Sequence, residues 1–472
     1  MAGASLALII IGALVNLIGA LGPELSFDAL FYHLTLPKLY LLWGKMPVIP
    51  GGLLYASGQP GLMELIYTGA LALQGEILAK IIHWAFGLLC AFLLYKVLRR
   101  FYEVQISLLG VMIFYLTPVV GWLSITAYVD LAVVFFELLA LNFFILWFQK
   151  RKDIFLYPLG IALGFSLSIK FLSWGSLFIY LIILIIAGKS LKRGIVAWLK
   201  IILPALLVSF PWYLRTYLYT GNPFYPLFTD YARSAYPLIE RSFLKIFFIP
   251  WEFTFLSDSL FTPIFLIFLP LALIGLIKRP RLVKIISLLS FFQIIYWFFT
   301  PAHSIRYLLP FTPPLIIFIL SVFCLPFCDI KIKEKLEKVL ISSVFFVSLL
   351  HLGIRSVSNV KFLPVILGRE TKSEFLTQNL NFRFGDFYDT DGYFQRNITK
   401  DDQVLIYGIH NLYYVDFPFA HESWASFCSQ EEYTYVLLGN DAPLPKKYAS
   451  LPLIYGNSLT GVKLYKVANE KN

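Results

Sequence analysis

The sequence predicts an α-helical membrane protein that crosses the bilayer many times and carries a small α/β domain at its C-terminal end. Hydrophobic residues make up 58% of the chain and charged residues 14%, whereas soluble domains usually carry about 25% charged residues. Apolar runs long enough for spanning helices recur along the first three quarters of the chain. The last quarter instead alternates short β-prone runs with polar segments.

Eleven apolar stretches are candidate spans, because about 20 mostly apolar residues cross a hydrocarbon core about 30 Å thick. They cover residues 5–22, 77–98, 106–122, 127–148, 155–169, 172–187, 195–218, 261–277, 283–299, 307–325 and 339–355. The first stretch has no basic flank and is longer than the apolar region of a signal peptide. We therefore interpret it as an uncleaved span.

Basic residues cluster in every second gap between these stretches, which predicts the orientation in the membrane. The clusters are Lys96/Arg99/Arg100, Lys150/Arg151/Lys152, Lys189/Lys192/Arg193, Lys278/Arg279/Arg281/Lys284 and Lys331/Lys333/Lys335/Lys338. By the positive-inside rule these gaps face the cytoplasm. The other gaps then lie outside: residues 23–76, the turns at Asp130 and Lys170, residues 219–260, residues 300–306 and the tail.

We expect two domains. Residues 1–360 form a transmembrane domain whose first outer loop covers 23–76, and residues 361–472 form an extracytoplasmic α/β domain. Four β-prone runs in the second domain read QVLIYG, YTYVLLG, LPLIYG and GVKLYKV. The net charge of +11 comes from the basic clusters between spans, so it indicates topology and not a nucleic-acid partner.

Acidic residues in the outer segments are the first candidates for chemistry. Asp28 follows the first span and begins an amphipathic stretch, which predicts a helix lying in the membrane interface. Glu64 lies in a second such stretch, and Asp130 lies at the outer mouth of the fourth span. Carboxylates near the bilayer are costly unless they bind a partner. An acid that begins a helix can also simply complement the helix dipole, which is the structural explanation for Asp130.

Cations and other polar residues lie on the same predicted side. Lys170 lies in the outer turn GFSLSIKFLSW, and Arg306 follows the ninth span in TPAHSIRYLLP. Supporting candidates are Tyr32, His33, His83, Asn222, His303 and Tyr307. Singly, a cation at a span end anchors to headgroups, His83 is a satisfied bundle histidine, and Asn222 is part of a turn. Together, these carboxylates and cations suit an anionic lipid phosphate held beside a hydroxyl nucleophile.

With these residues in view, the chain resembles the GT-C superfamily of membrane glycosyltransferases over essentially its whole length. The motifs are Asp28-Ala-Leu-Phe-Tyr-His33 with Pro37-Lys38-Leu-Tyr40, Pro60 with Glu64, Ala127-Tyr-Val-Asp130, Lys170, Pro211-Trp212 with Thr220-Gly-Asn222-Pro223 and Pro226, and Arg306-Tyr307-Leu-Leu-Pro310. The chain looks most similar to bacterial relatives of protein O-mannosyltransferases and of the lipid A aminoarabinose transferase.

The resemblance implies a sugar donor linked to a polyprenyl phosphate, catalysis outside the cytoplasm at the cell membrane, and an essential acid that Asp28 matches. Many protein mannosyltransferases carry two adjacent acids there, whereas Ala29 follows Asp28, which argues against a strict protein mannosyltransferase. The acceptor is then a hydroxyl of an envelope lipid, glycan or protein.

On this interpretation, Asp28 is the general base and the two cations, Lys170 and Arg306, stabilise the leaving phosphate. Asp130 and Glu64 orient the acceptor or hold a divalent metal ion through oxygen ligands; no cofactor is required by the sequence.

Two other classes of protein stay open. A transporter or flippase of a lipid-linked saccharide would also have many spans and buried charges. Transporters often show inverted repeats and broken helices at mid-membrane, whereas here the polar residues gather at the outer surface and we detect no repeat. A non-catalytic assembly subunit is the third class, and it would have no need of the outer carboxylates.

Overall fold

The computed structural model describes residues 1–49, 52–188, 190–230, 242–255, 262–300, 304–324, 330–425, 432–439 and 442–467. These residues belong to two compact units. The membrane unit comprises Met1–Leu21, Lys80–Leu214 and Ala232–Lys361, and the loop–tail unit comprises Gly22–Ala79, Arg215–Tyr231 and Phe362–Asn472. The first predicted outer loop and the C-terminal tail therefore belong to the same unit.

Apolar helices make up the membrane unit, although the first residues of α4 and the last residues of α10 belong to the loop–tail unit. They are α1 (Ala2–Leu21), α4 (Glu76–Leu98), α5 (Val104–Tyr115), α6 (Pro118–Leu123), α7 (Asp130–Lys150), α8 (Leu156–Leu167), α9 (Ser173–Gly188), α10 (Leu191–Thr220), α11 (Ile249–Phe255), α12 (Ile264–Ile274), α13 (Arg281–Phe299), α14 (Thr312–Leu320) and α15 (Ile330–Val360). Helix α14 is flanked by 3₁₀ turns at Ile305–Phe311 and Ser321–Cys324.

Seven helical segments among the described residues are long and apolar enough to cross a membrane. They are Ala2–Leu21, Glu76–Leu98, Asp130–Lys150, Leu191–Thr220, Arg281–Phe299, Ile305–Cys324 and Lys331–Val360. The other four predicted spans coincide with shorter apolar helices. The prediction of a multi-pass helical membrane protein is thus confirmed, and the count of eleven spans stays a prediction.

The predicted span at 106–122 is two helices, because the sequence interrupts it before Pro118. Pro118 has no backbone N–H and fits the first turn of a new helix. Thr117 precedes it in extended conformation and its hydroxyl accepts a hydrogen bond from the N–H of Val120, which caps α6. The chain therefore ends α5 at Tyr115 and restarts as α6. After α6 it runs without regular structure to Asp130, the first residue of α7.

The loop–tail unit contains a five-stranded sheet of order β2-β1-β3-β5-β4. The strands are β1 (Val404–Tyr407), β2 (Phe419–His421), β3 (Tyr435–Leu438), β4 (Leu453–Gly456) and β5 (Lys463–Lys466). β1 pairs in parallel with β2 and β3, and β5 pairs antiparallel with β3 and β4. All four predicted β-prone runs are strands, and the small C-terminal α/β domain is confirmed. Sequence analysis missed β2, which has only three residues.

Short helices accompany the sheet and form the first loop. They are α2 (Thr35–Trp43), α3 (Leu62–Gln74), α16 (Leu363–Ile366), α17 (Lys372–Asn379), α18 (Tyr393–Asn397) and α19 (Glu422–Ala425). Helix α2 follows a π-helical turn at Ala29–His33 and ends at Trp43, and its C-cap is Gly44, whose positive φ of 61° suits glycine.

The apolar face of α2 packs within the loop–tail unit. Leu36, Leu39 and Tyr40 are buried in one hydrophobic cluster with residues of β1, β3 and β5. Burying such side chains is worth about 1.5–3 kcal/mol each, so this packing fixes the first loop on the sheet domain. At the C-terminal end of α2, Leu42 is 67% exposed. That this stretch lies in the membrane interface stays a prediction. The exposed C-terminal end of α2 is the part of the helix that is available for such a contact.

Candidate functional site

Asp130 and Lys170 form an ion pair in the membrane unit. Asp130 is the first residue of α7, and Lys170 lies in the turn between α8 and α9. The Lys170 Nζ atom donates to Asp130 Oδ1 at 2.7 Å, and the two side chains are 15% and 3% exposed. The N-terminal dipole of α7 also stabilises a carboxylate at this position. The pair therefore places a cation beside a negative charge in a largely buried location.

Arg306 and Tyr307 lie beside this pair. The Arg306 guanidinium lies 4.9 Å from the ring centroid of Tyr128 and 5.0 Å from that of Tyr307, and it interacts electrostatically with Asp130. Lys170 Nζ lies 4.5 Å from the Tyr307 ring centroid. Both cations therefore contact the same aromatic ring, which attracts positive charge through its quadrupole. Two cations that are distant in sequence meet here.

His83 fixes the backbone that leads into this group. Its Nδ1 atom lies 2.8 Å from the carbonyl oxygen of Thr126, and its Nε2 atom accepts a hydrogen bond from the Leu131 N–H at 3.0 Å. A carbonyl only accepts, so Nδ1 carries the proton and the ring is neutral. The imidazole is fully buried and spans the segment that ends at Asp130. His83 therefore acts as a structural support for the acid.

His33 and Glu64 are paired in the loop–tail unit. His33 Nδ1 lies 2.6 Å from Glu64 Oε1, and both side chains are buried at 3% and 10% exposure. Glu64 lies in the first turn of α3, and His33 ends the π-helical turn. The ring of Tyr32 lies 4.1 Å from that of His33. Three of the predicted residues are thus brought together by the packing of the first loop on itself.

Asp28 begins the π-helical turn and is partly exposed. Its side chain makes no capping hydrogen bond to that turn. In the segment before the turn, Glu24 Oε1 accepts hydrogen bonds from the N–H groups of Leu25 and Ser26 at 2.9 and 2.8 Å. The backbone around Asp28 is therefore held without consuming its carboxylate as a helix cap.

Asn222 has a structural role in the described geometry. Its Oδ1 atom accepts from the Phe224 N–H at 2.9 Å, and its Nδ2 atom donates to the Leu227 carbonyl at 2.7 Å. These bonds close the turn that follows α10, as Asn side chains commonly do. The remaining predicted residue, His303, lies outside the described residues.

Sequence analysis did not single out Arg215, and it named Tyr40 only as part of a motif. Arg215 Nη2 donates to the backbone carbonyls of Ser57 and Gln59, and the Thr216 hydroxyl donates to the Gly58 carbonyl at 2.9 Å. Burial raises the pKa of the Tyr40 hydroxyl, and hydrogen bonding to Arg215 opposes that rise. The sequence signal for Arg215 was a cation in the last turns of a helix that is predicted to end outside the membrane. Its partners are backbone carbonyls, which no side-chain pattern reveals.

A second group that sequence analysis missed surrounds Glu76. Its carboxylate accepts hydrogen bonds from the hydroxyls of Tyr413 and Tyr414 at 2.8 and 3.3 Å, and it pairs with Lys372 at 2.6 Å. Burial raises the pKa of both tyrosines, and the neighbouring carboxylate adds to that rise. These contacts hold the tail segment at Tyr413 against residues of the first loop.

The segment at Tyr413 has a second anchor. Lys38 donates to the carbonyls of Tyr413 and Val415 and to Asp416 Oδ1, at 2.8, 2.5 and 2.9 Å.

Among the described parts of the chain, no three His, Cys, Asp or Glu side chains are grouped as metal ligands would be.

Comparisons with known proteins find a family model that matches part of the sequence and solved structures that match the fold. Residues 60–214 match the family model of dolichyl-phosphate-mannose-protein mannosyltransferases. This range contains Glu64, His83, Asp130 and Lys170, and it covers about a third of the chain. A search of curated protein sequences finds no significant match.

Solved structures match the fold. The chain is similar to ArnT from Cupriavidus metallidurans bound to undecaprenyl phosphate, with a TM-score of 0.65 at 11% identity over 98% of each chain. It matches the apo state of that protein with a TM-score of 0.62. The archaeal oligosaccharyltransferase AglB from Archaeoglobus fulgidus matches with a TM-score of 0.52 at 11% identity, over 92% of this chain and 69% of that chain. At these identities the solved structures show the fold, which is of the ArnT type and agrees with the fold that the resemblance implies.

Proposed function

We propose that this chain is a membrane glycosyltransferase that moves a sugar from a polyprenyl-phosphate donor to a hydroxyl group of an envelope lipid, glycan or protein. The observation that carries the proposal is the meeting of Lys170 and Arg306 at the Tyr307 ring, beside Asp130, in a fold of the ArnT type. A lipid phosphate that leaves during sugar transfer is an anion, and two converging cations supply the charge that stabilises it. The match of residues 60–214 to a mannosyltransferase family model supports the same chemistry.

Lys170 and Arg306 would bind the phosphate in different ways. The ammonium of Lys170 is a compact point charge that can exchange its bond to Asp130 for one to a phosphate oxygen. The guanidinium of Arg306 is a planar fork suited to two oxygens. Asp130 then holds Lys170 in place before the donor binds, so the charged site is organised before the reaction begins.

We assign acceptor activation to Asp28. The acceptor hydroxyl oxygen attacks the anomeric carbon from the side opposite the phosphate, and the bond between that carbon and the phosphate oxygen breaks. The electron pair of the broken bond goes to the phosphate, and Asp28 takes the hydroxyl proton. The products are an inverted glycoside and a polyprenyl phosphate. Glu64 and His33 would orient the acceptor as a pair, because each satisfies the other.

The proposal has two further parts, which are the side of the membrane that Asp28 faces and the use of a divalent metal ion. The basic clusters support an orientation in which Asp28 and the C-terminal domain lie on the extracytoplasmic side of the cell membrane. A divalent metal ion on carboxylate oxygens is an additional expectation. Loss of transfer on chelation, restored by Mg²⁺ or Mn²⁺, would support it, and full transfer in excess chelator would exclude a freely exchanging ion.

A donor panel tests the function directly. The full chain in lipid nanodiscs is mixed with radiolabelled polyprenyl-phosphate sugars and a total envelope extract. The proposal expects label to move from the donor to an acceptor fraction in wild-type protein and in Asp401→Asn, an exposed acid that serves as the control. A flippase would instead move the intact donor between leaflets of a vesicle without breaking its sugar–phosphate bond. Donor translocation with no cleavage across the panel would overturn the proposal.

A further inference from the structure

Glu137 is a buried carboxylate that the proposed chemistry leaves without a role. It lies in α7 and is 4% exposed. Ionisable side chains inside spanning helices are costly and are usually retained for function. Residues seven apart share one face of a helix and lie about 10.5 Å apart along it, so Glu137 lies two turns below Asp130 on the same face.

One hydrogen-bond partner of Glu137 belongs to the segment that carries Lys170. The Ser166 hydroxyl donates to Glu137 Oε1 at 3.2 Å, and it lies 2.6 Å from the Ser173 hydroxyl. All three side chains are buried. Ser166 ends one side of the turn between α8 and α9, and Ser173 begins the other side.

The same two serines bracket the backbone of Lys170. The Lys170 N–H donates to the Ser166 carbonyl at 3.1 Å, and the Ser173 N–H donates to the Lys170 carbonyl at 3.3 Å. The hydroxyl–hydroxyl contact closes this turn, and the bond to Glu137 holds the closed turn on α7. Helix α7 and the turn are thus joined at two levels, by the ion pair of Asp130 with Lys170 above and by Glu137 with Ser166 below.

We propose that Glu137, through Ser166 and Ser173, is a positioning residue that sets Lys170 opposite Asp130. Long cationic side chains have many rotamers, and fixing the backbone of Lys170 reduces the number that reach the carboxylate. A group that stabilises a leaving phosphate must be in place before the charge develops. The role in catalysis rests on the proposed function, whereas the effect on Lys170 geometry does not.

The test measures the reactivity of Lys170 itself. The full chain in nanodiscs is treated briefly with acetic anhydride, and acetylation of Lys170 is quantified by mass spectrometry relative to the exposed Lys400. Asp130→Asn is the positive control, because loss of the ion pair must raise acetylation of Lys170. Asn142→Leu is the matched control, since Asn142 is a buried polar residue of α7 that accepts instead from Arg100.

We expect Glu137→Leu to raise acetylation of Lys170 about fivefold, the effect of losing one hydrogen bond. Glu137→Gln keeps an oxygen acceptor for Ser166 and should restore wild-type reactivity. Ser173→Ala removes the hydroxyl contact that closes the turn while leaving the Glu137 side chain in place. It should raise reactivity as Glu137→Leu does, which keeps the test decisive if Glu137→Leu fails to fold. Wild-type reactivity in Ser173→Ala and Glu137→Leu, or equal reactivity in the Gln and Leu variants, would overturn the proposal.

Transfer assays separate this inference from the proposed function. If the wild-type chain transfers sugar, Glu137→Leu should lose rate and Glu137→Gln should regain it. If the wild-type chain transfers none of the donors, the proposed function fails while the acetylation result still decides the role of Glu137.

Discussion

Lys170 Nζ donates a hydrogen bond of 2.7 Å to Asp130 Oδ1, although 40 residues separate the two in sequence. One residue begins a helix and the other occupies a turn between the next two helices, so their meeting depends on how α7 packs against α8. An exposed ion pair contributes little to stability. This one is largely buried, so removing either partner leaves an uncompensated charge.

The first prediction uses charge-conserving swaps at the two cations. We expect Lys170→Arg and Arg306→Lys each to lower the transfer rate at saturating donor about ten- to a hundredfold, because a charge-assisted contact is worth about 1.5–3 kcal/mol. A membrane anchor would tolerate both swaps, since it needs only positive charge. Thermal unfolding of each variant controls for folding, and wild-type rates in both swaps and both alanine variants would move the phosphate site elsewhere.

The second prediction concerns Asp28. Asp28→Asn is nearly isosteric and cannot accept the acceptor proton, so transfer should fall by on the order of 10²-fold or more. The asparagine side chain has nearly the same size and shape, so thermal stability should change little. The initial rate of sugar transfer is measured beside Asp401→Asn. A well-folded Asp28→Asn protein with undiminished transfer would remove Asp28 from the role of base.

The third prediction separates charge from hydrogen bonding at Glu64. Glu64→Gln keeps an oxygen that His33 can contact, so the fold should persist while transfer falls about tenfold. Glu64→Leu removes the carboxylate acceptor from a buried histidine, which costs about 1–3 kcal/mol. Thermal unfolding and transfer rate are measured on both variants. Equal stability of the Gln and Leu variants would show that the bond of 2.6 Å does not support the first loop.

The fourth prediction is a pH dependence of stability that comes from His421 in β2. Burial lowers the pKa of its imidazole to about 4. Its Nε2 atom lies 3.1 Å from the Ile409 carbonyl, and its Nδ1 atom accepts from the Ser423 N–H at 3.2 Å. Only a neutral ring protonated at Nε2 satisfies both partners.

In the unfolded chain the His421 imidazole therefore binds a proton near pH 6.5, whereas in the folded chain it stays neutral until the pH falls to about 4. Stability from His421 is fully present above pH 6.5 and is lost as the pH falls towards 4, by about 3 kcal/mol at most. We expect the melting temperature of the full chain to fall between pH 7 and 5, and to fall less in His421→Gln. The exposed Asp401→Asn serves as the control, and identical pH profiles for wild type and His421→Gln would refute the assignment.

The fifth prediction tests orientation. A cysteine at Lys152 should be protected from an impermeant thiol reagent in intact cells, and one at Lys400 should be labelled, because the basic clusters face the cytoplasm. Both positions are exposed in the fold. Permeabilised cells must label both. Labelling of the first site together with protection of the second would reverse the topology and place Asp28 in the cytoplasm.

The sequence alone determined the features that depend on local composition. Apolar runs of bilayer length identified the helices, and β-branched and aromatic runs identified four of the five strands. The acids and cations of the candidate site were found because ionisable residues stand out in an apolar chain. The three-residue strand β2 was missed because its pairing with β1, and not its own pattern, makes it a strand.

Only the tertiary structure decided which of these residues meet. The partner of Lys170 is Asp130, and the supports of Lys170 are Glu137 and two serines that no pattern distinguished. The apolar residues Leu36, Leu39 and Tyr40 of α2 are buried with the C-terminal sheet, which the sequence pattern did not reveal. Amphipathicity specifies that a face must leave water, but not whether protein or lipid covers it. That choice follows from long-range packing between segments that lie hundreds of residues apart.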